Sequence, residues 1–145
     1  MPRIDVEKVK IDPDDNYLLE ILFQESSRSI SNNSRKQGAL IVKGGSIISS
    51  GHFEAYKNKS SAKEKEEVEV GSGAIENAIA TCAKFGISVN GATLYTYVFP
   101  NAIACKLLVK AGISEIRFVR MSDNPLGLAL CKESKIQLTQ IRKVQ

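Results

Sequence analysis

The 145-residue chain has one histidine, no tryptophan and only three cysteines. Zinc hydrolases and Ser-His-Asp or Cys-His catalytic sites generally need at least one imidazole. A site of that kind in this chain must therefore use His52 or work without an imidazole. The cysteines, Cys82, Cys105 and Cys131, are odd in number, far apart and surrounded by apolar residues. This pattern predicts buried free thiols in a reducing compartment rather than disulfides.

Membrane and nucleic-acid signals are also absent. No segment approaches the ~20 consecutive apolar residues of a membrane span, and residues 1–10 lack the apolar core of a signal peptide. The net charge of +4 is small, and the lysines alternate with glutamates instead of forming one basic cluster. We therefore expect a cytoplasmic protein with no membrane association and no nucleic-acid partner.

Hydrophobic patterning predicts one domain over residues 1–145 with the element order α, β, β, α, β, α, β, α, β. Gly44-Gly45 between two β-rich runs predicts a hairpin, and the later helix-linked strands are expected to pair in parallel. The fold class is therefore α/β, a three-layer α/β/α sandwich around a mixed five-stranded sheet. The predicted helices cover residues 13–30, 74–85, 100–111 and 125–131, and the strands cover 38–43, 46–50, 92–99, 115–119 and 136–141.

Two segments are predicted to lie outside this core. Residues 1–12 form an N-terminal tail. Residues 56–72 are rich in lysine and glutamate and nearly free of apolar residues, which predicts a charged, solvated loop or a frayed helix.

Over Tyr17 to Ile141 the chain resembles the zinc-dependent cytidine and deoxycytidylate deaminases. Helix two of that family opens H-A-E-x-N-A-I, and this chain has G-A-I-E-N-A-I at residues 73–79. Helix three of the family opens F-P-C-x-x-C, and this chain has F-P-N-A-I-A at residues 99–104. A Ser-Arg-rich loop before the hairpin and the G-A-T-L-Y stretch at residues 91–95 extend the match. The resemblance implies a cytidine deaminase-like fold.

The same alignment implies that the zinc chemistry is missing. Gly73 stands where the family has the zinc-ligating histidine, Ile75 where it has the proton-carrying glutamate, and Asn101 and Ala104 where it has the two cysteines. Gly and Ala present no donor atom, Asn is a poor zinc ligand, and Ile carries no proton. We therefore expect no catalytic residue, no metal ligand and no bound zinc, although zinc is the family's cofactor.

Nearby residues offer weak substitutes. Glu76 is one residue beyond the catalytic position, and a rotation of about 100° should turn its carboxylate away from the old pocket. Cys105 is one residue past a ligand position and is expected to be a buried structural thiol. His52-Phe53-Glu54 has the letters of an H-x-E motif, but no further ligand is near it in sequence. Asn77 is expected to hydrogen-bond to the adjoining loop.

Three functional hypotheses follow. The leading one is a deaminase-fold pseudoenzyme that serves as a structural or regulatory subunit, as a homo-oligomer or as a hetero-oligomer with an active deaminase. The second is an active cytidine or deoxycytidylate deaminase-type hydrolase with a rearranged site built from His52, Glu54 or Glu76, and Cys105. The third is a sensor that binds a pyrimidine nucleotide without turning it over. The candidate ligand-binding residues are Arg35, His52, Glu54, Asn77 and Asn101.

Overall fold

The computed structural model of the chain describes residues 7–8, 13–29, 37–57 and 69–141. Its elements in chain order are β1 (Glu7–Lys8), α1 (Pro13–Ser26), β2 (Gly38–Lys43), β3 (Ser46–His52), β4 (Glu54–Lys57), β5 (Glu69–Ser72), α2 (Ala74–Lys84), β6 (Thr93–Val98), α3 (Ala102–Ala111), β7 (Glu115–Arg120), α4 (Pro125–Glu133) and β8 (Gln137–Gln140).

The main sheet is mixed, with the strand order β1-β8-β7-β6-β2-β3. Strands β6, β7 and β8 pair in parallel, whereas β2 is antiparallel to both β3 and β6. The predicted five-stranded mixed sheet with helices on both faces is confirmed. Each predicted element is present, with ends that differ by at most four residues.

Two segments differ from the prediction because backbone pairing leaves little trace in side-chain patterning. Within the predicted N-terminal tail, β1 pairs in parallel with β8 and adds a sixth strand at the sheet edge. Within the predicted solvated loop, residues 56–57 and 69–72 belong to the antiparallel hairpin β4-β5. Phe53 is buried at the base of this hairpin, where its ring packs against Gly71. Residues 58–68 lie outside the described residues.

Alternation along the strands divides the core between the two faces of the sheet. Ala39 and Ile41 on β2 point toward the larger apolar cluster, which also contains residues of α2, α3 and α4. Leu40 points to the opposite face and packs with Leu19 and Leu22 of α1. Among the described residues, α1 therefore lies on one face of the sheet, and α2, α3 and α4 lie on the other.

A close approach fixes α2 against the edge strand β3. A Cβ atom added to Gly51 would collide with the carbonyl oxygen of Ala74 and would lie 2.8 Å from the backbone nitrogen of Ala78. Ser49, two residues earlier on the same face, donates its hydroxyl proton to the Ala78 carbonyl at 2.7 Å. The absence of a side chain at position 51 thus sets the height of α2 above the sheet.

A buried polar network joins α1 to the sheet. The carboxylate of Asp15, 3% exposed, accepts hydrogen bonds from the Tyr95 hydroxyl and from Arg117 Nη1, both at 2.6 Å. Arg117 Nε also lies 3.1 Å from Glu115 Oε2, and that oxygen accepts the hydroxyl proton of Thr139 at 2.8 Å. Burial, together with the hydrogen bond to Asp15, raises the pKa of Tyr95, so its hydroxyl stays protonated as a donor.

The prediction of buried free thiols is confirmed in the structure. Cys82, Cys105 and Cys131 are free thiols, and all three are buried. None of the helices in the described part of the chain combines the length and the apolar character that crossing a bilayer requires.

We predict that Asp15→Asn lowers the free energy of unfolding by about 2–3 kcal/mol, because it leaves the partly buried Arg117 charge without its closest carboxylate. Urea denaturation measures this change. Glu20→Gln, at an exposed position on the same helix, is the control and should stay within about 0.5 kcal/mol of the unmodified chain. Equal stability of the two variants would show that the network contributes little.

We predict that Gly51→Ala lowers the free energy of unfolding by about 1–3 kcal/mol, because the new methyl group must push α2 away from β3. Thermal and urea unfolding measure this loss. Ser50→Ala, on the exposed face of the same strand, should change stability by less than about 0.5 kcal/mol. An unchanged stability of Gly51→Ala would show that the missing side chain at position 51 does not set the distance between α2 and β3.

Candidate functional site

A cavity of about 490 Å³ lies at one edge of the sheet, where the carboxyl ends of β6 and β7 meet. The parallel crossovers bring the N-termini of α3 and α4 to this edge. Strand β3 runs in the same direction as β6 and therefore also ends at this edge. Helix α2 begins here, after the hairpin β4-β5. Ligands of open α/β sheets bind at such an edge. The cavity is lined by Gln37, Gly38, Ala74, Ile75, Glu76, Thr96, Tyr97, Val98, Phe99, Pro100, Asn101, Ala104, Ser122, Asp123 and Asn124.

The N-terminus of α2 forms one wall of the cavity. Gly73 is the N-cap residue, and no side chain caps this end by a hydrogen bond. Ile75, 8% exposed, presents an apolar side chain to the cavity. Gln37 Oε1 accepts a weak hydrogen bond from the Ala74 backbone N–H at 3.4 Å.

Glu76 lies on the cavity wall, and the expectation that its carboxylate points away from the old pocket is wrong. A Cβ atom placed on Gly73 would collide with Glu76 Oε2, so the carboxylate occupies the space that a side chain at position 73 would need. Helix side chains lean toward the N-terminus, and a carboxylate in the first turn is attracted to the positive end of the helix dipole. Position 76 is rotated by about 100° from position 75 around the helix axis. The Glu76 side chain still reaches the cavity, because it is long and directed toward the start of the helix.

The N-terminus of α3 forms the facing wall. Asn101 is the N-cap residue, and its Oδ1 accepts the Ala104 backbone N–H at 2.8 Å. Ala104 is buried and offers only a methyl group. The amide oxygen of Asn101 is therefore engaged at the start of α3, and its Nδ2 group is the donor that remains for other contacts.

Cys105 does not reach the cavity. Its Sγ donates a long hydrogen bond to the Pro100 carbonyl at 3.5 Å, and a Cβ atom on Gly127 of α4 would lie 3.0 Å from that sulfur. The hydrogen bond to the Cys131 thiol and burial raise the pKa of Cys105, which keeps it in the unreactive thiol form. The prediction of a buried structural cysteine is confirmed.

The loop before α4 completes the cavity and ties α4 to α3. Asn124 Nδ2 donates to the Pro100 carbonyl at 2.7 Å, and its Oδ1 accepts the Gly127 N–H at 3.1 Å. The Ser122 hydroxyl donates to the Phe99 carbonyl at 2.9 Å. These contacts connect the ends of β6 and β7 to the starts of α3 and α4.

Three of the predicted ligand-binding residues lie in a second cavity, of about 390 Å³, beside the middle of α2. His52 Nδ1 lies 2.9 Å from Glu25 Oε1, and His52 Nε2 lies 3.6 Å from Glu54 Oε1. Asn77 Nδ2 donates to the carbonyls of His52 at 2.8 Å and Ser72 at 3.2 Å, as expected for a residue that anchors the adjoining loop.

The predicted rearranged site is therefore not assembled by the fold. Glu76 lines the first cavity, His52 and Glu54 line the second, and Cys105 is buried between α3 and α4. Within the described ranges, no cluster of three His, Cys, Asp or Glu side chains is placed to hold a metal ion. Arg35 lies outside the described residues.

Sequence reasoning missed several residues that line the first cavity, although the predicted topology contained the signal. Gln37 precedes β2, Thr96 is in the last half of β6, and residues 122–124 follow β7. A strand order with parallel neighbours predicts that such positions meet at one edge of the sheet.

Comparison with solved structures finds the same fold. The dCMP deaminase of cyanophage S-TIM5 in apo form has a TM-score of 0.70 and 21% identity, with 90% of this chain and 99% of that chain covered. Its complex with dCMP and dUMP has a TM-score of 0.71 and 19% identity, covering 90% and 98%. A diaminohydroxyphosphoribosylaminopyrimidine deaminase/5-amino-6-(5-phosphoribosylamino)uracil reductase from Thermotoga maritima has a TM-score of 0.68 and 20% identity, covering 86% and 35%.

Sequence comparisons identify the family. ComE operon protein 2 of Bacillus subtilis (strain 168) is 29% identical over 66 residues, which are 45% of this chain and about a third (35%) of that protein. The family model described as the cytidine and deoxycytidylate deaminase zinc-binding region matches residues 12–120, which is most of the chain. The chain therefore belongs to the cytidine and deoxycytidylate deaminase family.

Proposed function

We propose that this chain is a non-catalytic member of its family that keeps the deaminase cavity as a binding site. Its role is then to bind a nucleobase-containing ligand without turning it over, or to act as a regulatory or structural subunit. One observation carries the proposal. The two helix N-termini that face each other across the cavity present Gly73, Ile75, Asn101 and Ala104 at the positions where the family resemblance places zinc ligands and the proton carrier.

The side chains at these positions do not fit zinc. Zinc in proteins is held by thiolates, imidazoles and carboxylates. Gly73 and Ala104 have no donor atom, and Asn101 already uses its amide oxygen to cap α3. Cys105 is directed into the interface between α3 and α4. Among the described residues, the cavity carboxylates of Glu76 and Asp123 are not part of any cluster of three side chains that could hold a metal ion, whereas a four-coordinate site needs several donors.

Features that favour ligand binding are retained. The cavity volume of about 490 Å³ falls within the range of about 300–1,000 Å³ that small-molecule sites occupy. Apolar walls from Ile75 and Phe99 stand beside polar groups from Glu76, Asn101 and Thr96. The related cyanophage enzyme was crystallised with dCMP and dUMP, and a pyrimidine nucleotide is accordingly the ligand class that the resemblance suggests.

The subunit role is supported by apolar side chains beside the cavity. Ile103 at the start of α3 is 78% exposed, and Leu126 at the start of α4 is 71% exposed. Exposed apolar residues of this size are a common feature of association surfaces when they are contiguous. We propose that the surface around Ile103 and Leu126 contacts a second copy of the chain or an active deaminase subunit.

A deaminase-type hydrolase with an altered site is the second candidate, and family membership itself favours it. The Glu76 carboxylate on the cavity wall supports this second candidate, since general acid-base catalysis needs a proton carrier within reach of the substrate. Glu76→Gln separates the two candidates, because an enzyme that uses this carboxylate loses its turnover with the substitution.

We predict that the chain purified without added metal contains far less than one zinc per molecule and does not convert cytidine, deoxycytidine or their monophosphates to uracil products. Metal analysis and a chromatographic product assay measure this. The positive control carries Gly73→His, Ile75→Glu, Asn101→Cys and Ala104→Cys, with Glu76→Ala to clear space, and should gain stoichiometric zinc. Stoichiometric zinc together with deamination by the unmodified chain would contradict the proposal.

We predict that at least one nucleoside or nucleotide raises the melting temperature. A ligand present at about 100 times its Kd adds about 2.7 kcal/mol, which corresponds to roughly 5–11 °C for a domain of this size. A thermal-shift panel of nucleosides and their mono- and triphosphates tests this. Ala104→Phe, which fills the cavity, should abolish the shift. If no compound of the panel raises the melting temperature, the result counts against ligand binding, and the role as a regulatory or structural subunit is the part of the proposal that stands.

A further inference from the structure

The position of the Glu76 carboxylate in the cavity bears on which ligand the cavity can bind. It projects from the first turn of α2 into the space beside Gly73, and it shares the cavity wall with Gln37 Oε1. That amide oxygen would lie 3.5 Å from a Cβ atom on Gly73, so acceptor atoms from two elements converge on the same point. This part of the cavity therefore offers acceptors to a ligand.

Acceptors of this kind discriminate between nucleobases. An ionised carboxylate has two acceptor oxygens and no donor, and it pairs best with two parallel N–H groups on one edge. A 2-amino-oxo edge, as in guanine, presents a ring N–H beside an exocyclic amino group and matches this requirement. Neutral cytosine presents an amino group beside an unprotonated ring nitrogen, and that nitrogen would face a carboxylate oxygen. The Glu76 carboxylate thus favours the first edge over the second.

The opposite wall supplies the complementary group. Because Asn101 Oδ1 accepts the Ala104 N–H, the polar atom that Asn101 can offer a ligand is the Nδ2 donor. A ring carbonyl next to the N–H pair is the partner that such a donor requires. Phe99 and Ile75 add apolar surface between the two walls.

We propose that the cavity is selective for bases with a 2-amino-oxo edge, that is guanine or a 2-aminopyrimidinone, and that Glu76 is the residue that determines this specificity. The inference rests on the proposed ligand-binding function and assigns it a ligand class that differs from the cytosine nucleotides suggested by the family resemblance. Gly73 has a supporting role, because the lack of a side chain there leaves room for the carboxylate.

Isothermal titration with guanosine, inosine and cytidine tests the selectivity. Inosine keeps the ring N–H and the carbonyl of guanosine but lacks the 2-amino group. We expect guanosine to bind about tenfold or more tightly than inosine, since a hydrogen bond to a charged group contributes about 1.5–3 kcal/mol and 1.4 kcal/mol is a factor of ten in Kd. Cytidine should bind more weakly than guanosine. Equal or tighter binding of cytidine would overturn the proposal while leaving the proposed function intact.

Two variants assign the selectivity to Glu76. Glu76→Gln should weaken guanosine binding about tenfold or more and reduce the difference between guanosine and inosine. Glu133→Gln, which changes an exposed carboxylate at the opposite end of α4, outside the cavity lining, is the matched control and should leave Kd unchanged. A preference for guanosine that survives Glu76→Gln, or that Glu133→Gln removes equally, would show that Glu76 does not determine it.

Gly73→Ala provides an independent check if Glu76→Gln folds poorly. The added methyl group must displace the carboxylate without changing the charge of residue 76. The backbone at Gly73 has φ −75° and ψ 161°, which alanine adopts without strain. We expect the same loss of guanosine selectivity, and retention of full selectivity would contradict the assigned geometry. If no nucleoside binds the unmodified chain, the ligand class and the proposed ligand binding fail together.

Discussion

The position of α2 depends on the contact between its backbone and Gly51 of β3. Because a Cβ atom there would meet the Ala74 carbonyl, the helix sits lower on the sheet than ordinary side-chain packing allows. The Ser49 hydroxyl holds the Ala78 carbonyl from the same face. Since the cavity is formed where α2 and α3 begin, this contact sets the distance between its two facing walls.

The two helix starts that face each other across the cavity use their polar side chains differently. Asn101 caps α3, since its amide oxygen accepts the Ala104 backbone N–H. Glu76 lies in the first turn of α2 with its carboxylate on the cavity wall, and no side chain caps that helix by a hydrogen bond. Polar side chains at helix starts therefore serve the backbone in one wall and the cavity in the other.

The sequence predicted most of the fold because the strongest signals were local. Alternation, the Gly-Gly hairpin and glycine-terminated helices located each of the five main strands and the four helices. Strand β1 and hairpin β4-β5 were missed, since backbone pairing at an edge requires few apolar side chains. The separation of His52 and Glu54 from the first cavity depends on which side of α2 each segment passes, and sequence spacing alone does not contain that information.

Glu76 and the missing side chain at position 73 also constrain how this domain changes over evolutionary time. A larger residue at position 73 collides with the carboxylate, whereas removing the carboxylate alone deprives the start of α2 of a favourable negative charge. A side chain at position 73 therefore requires the carboxylate of residue 76 to move or to be replaced, so the effects of substitutions at the two positions are not additive.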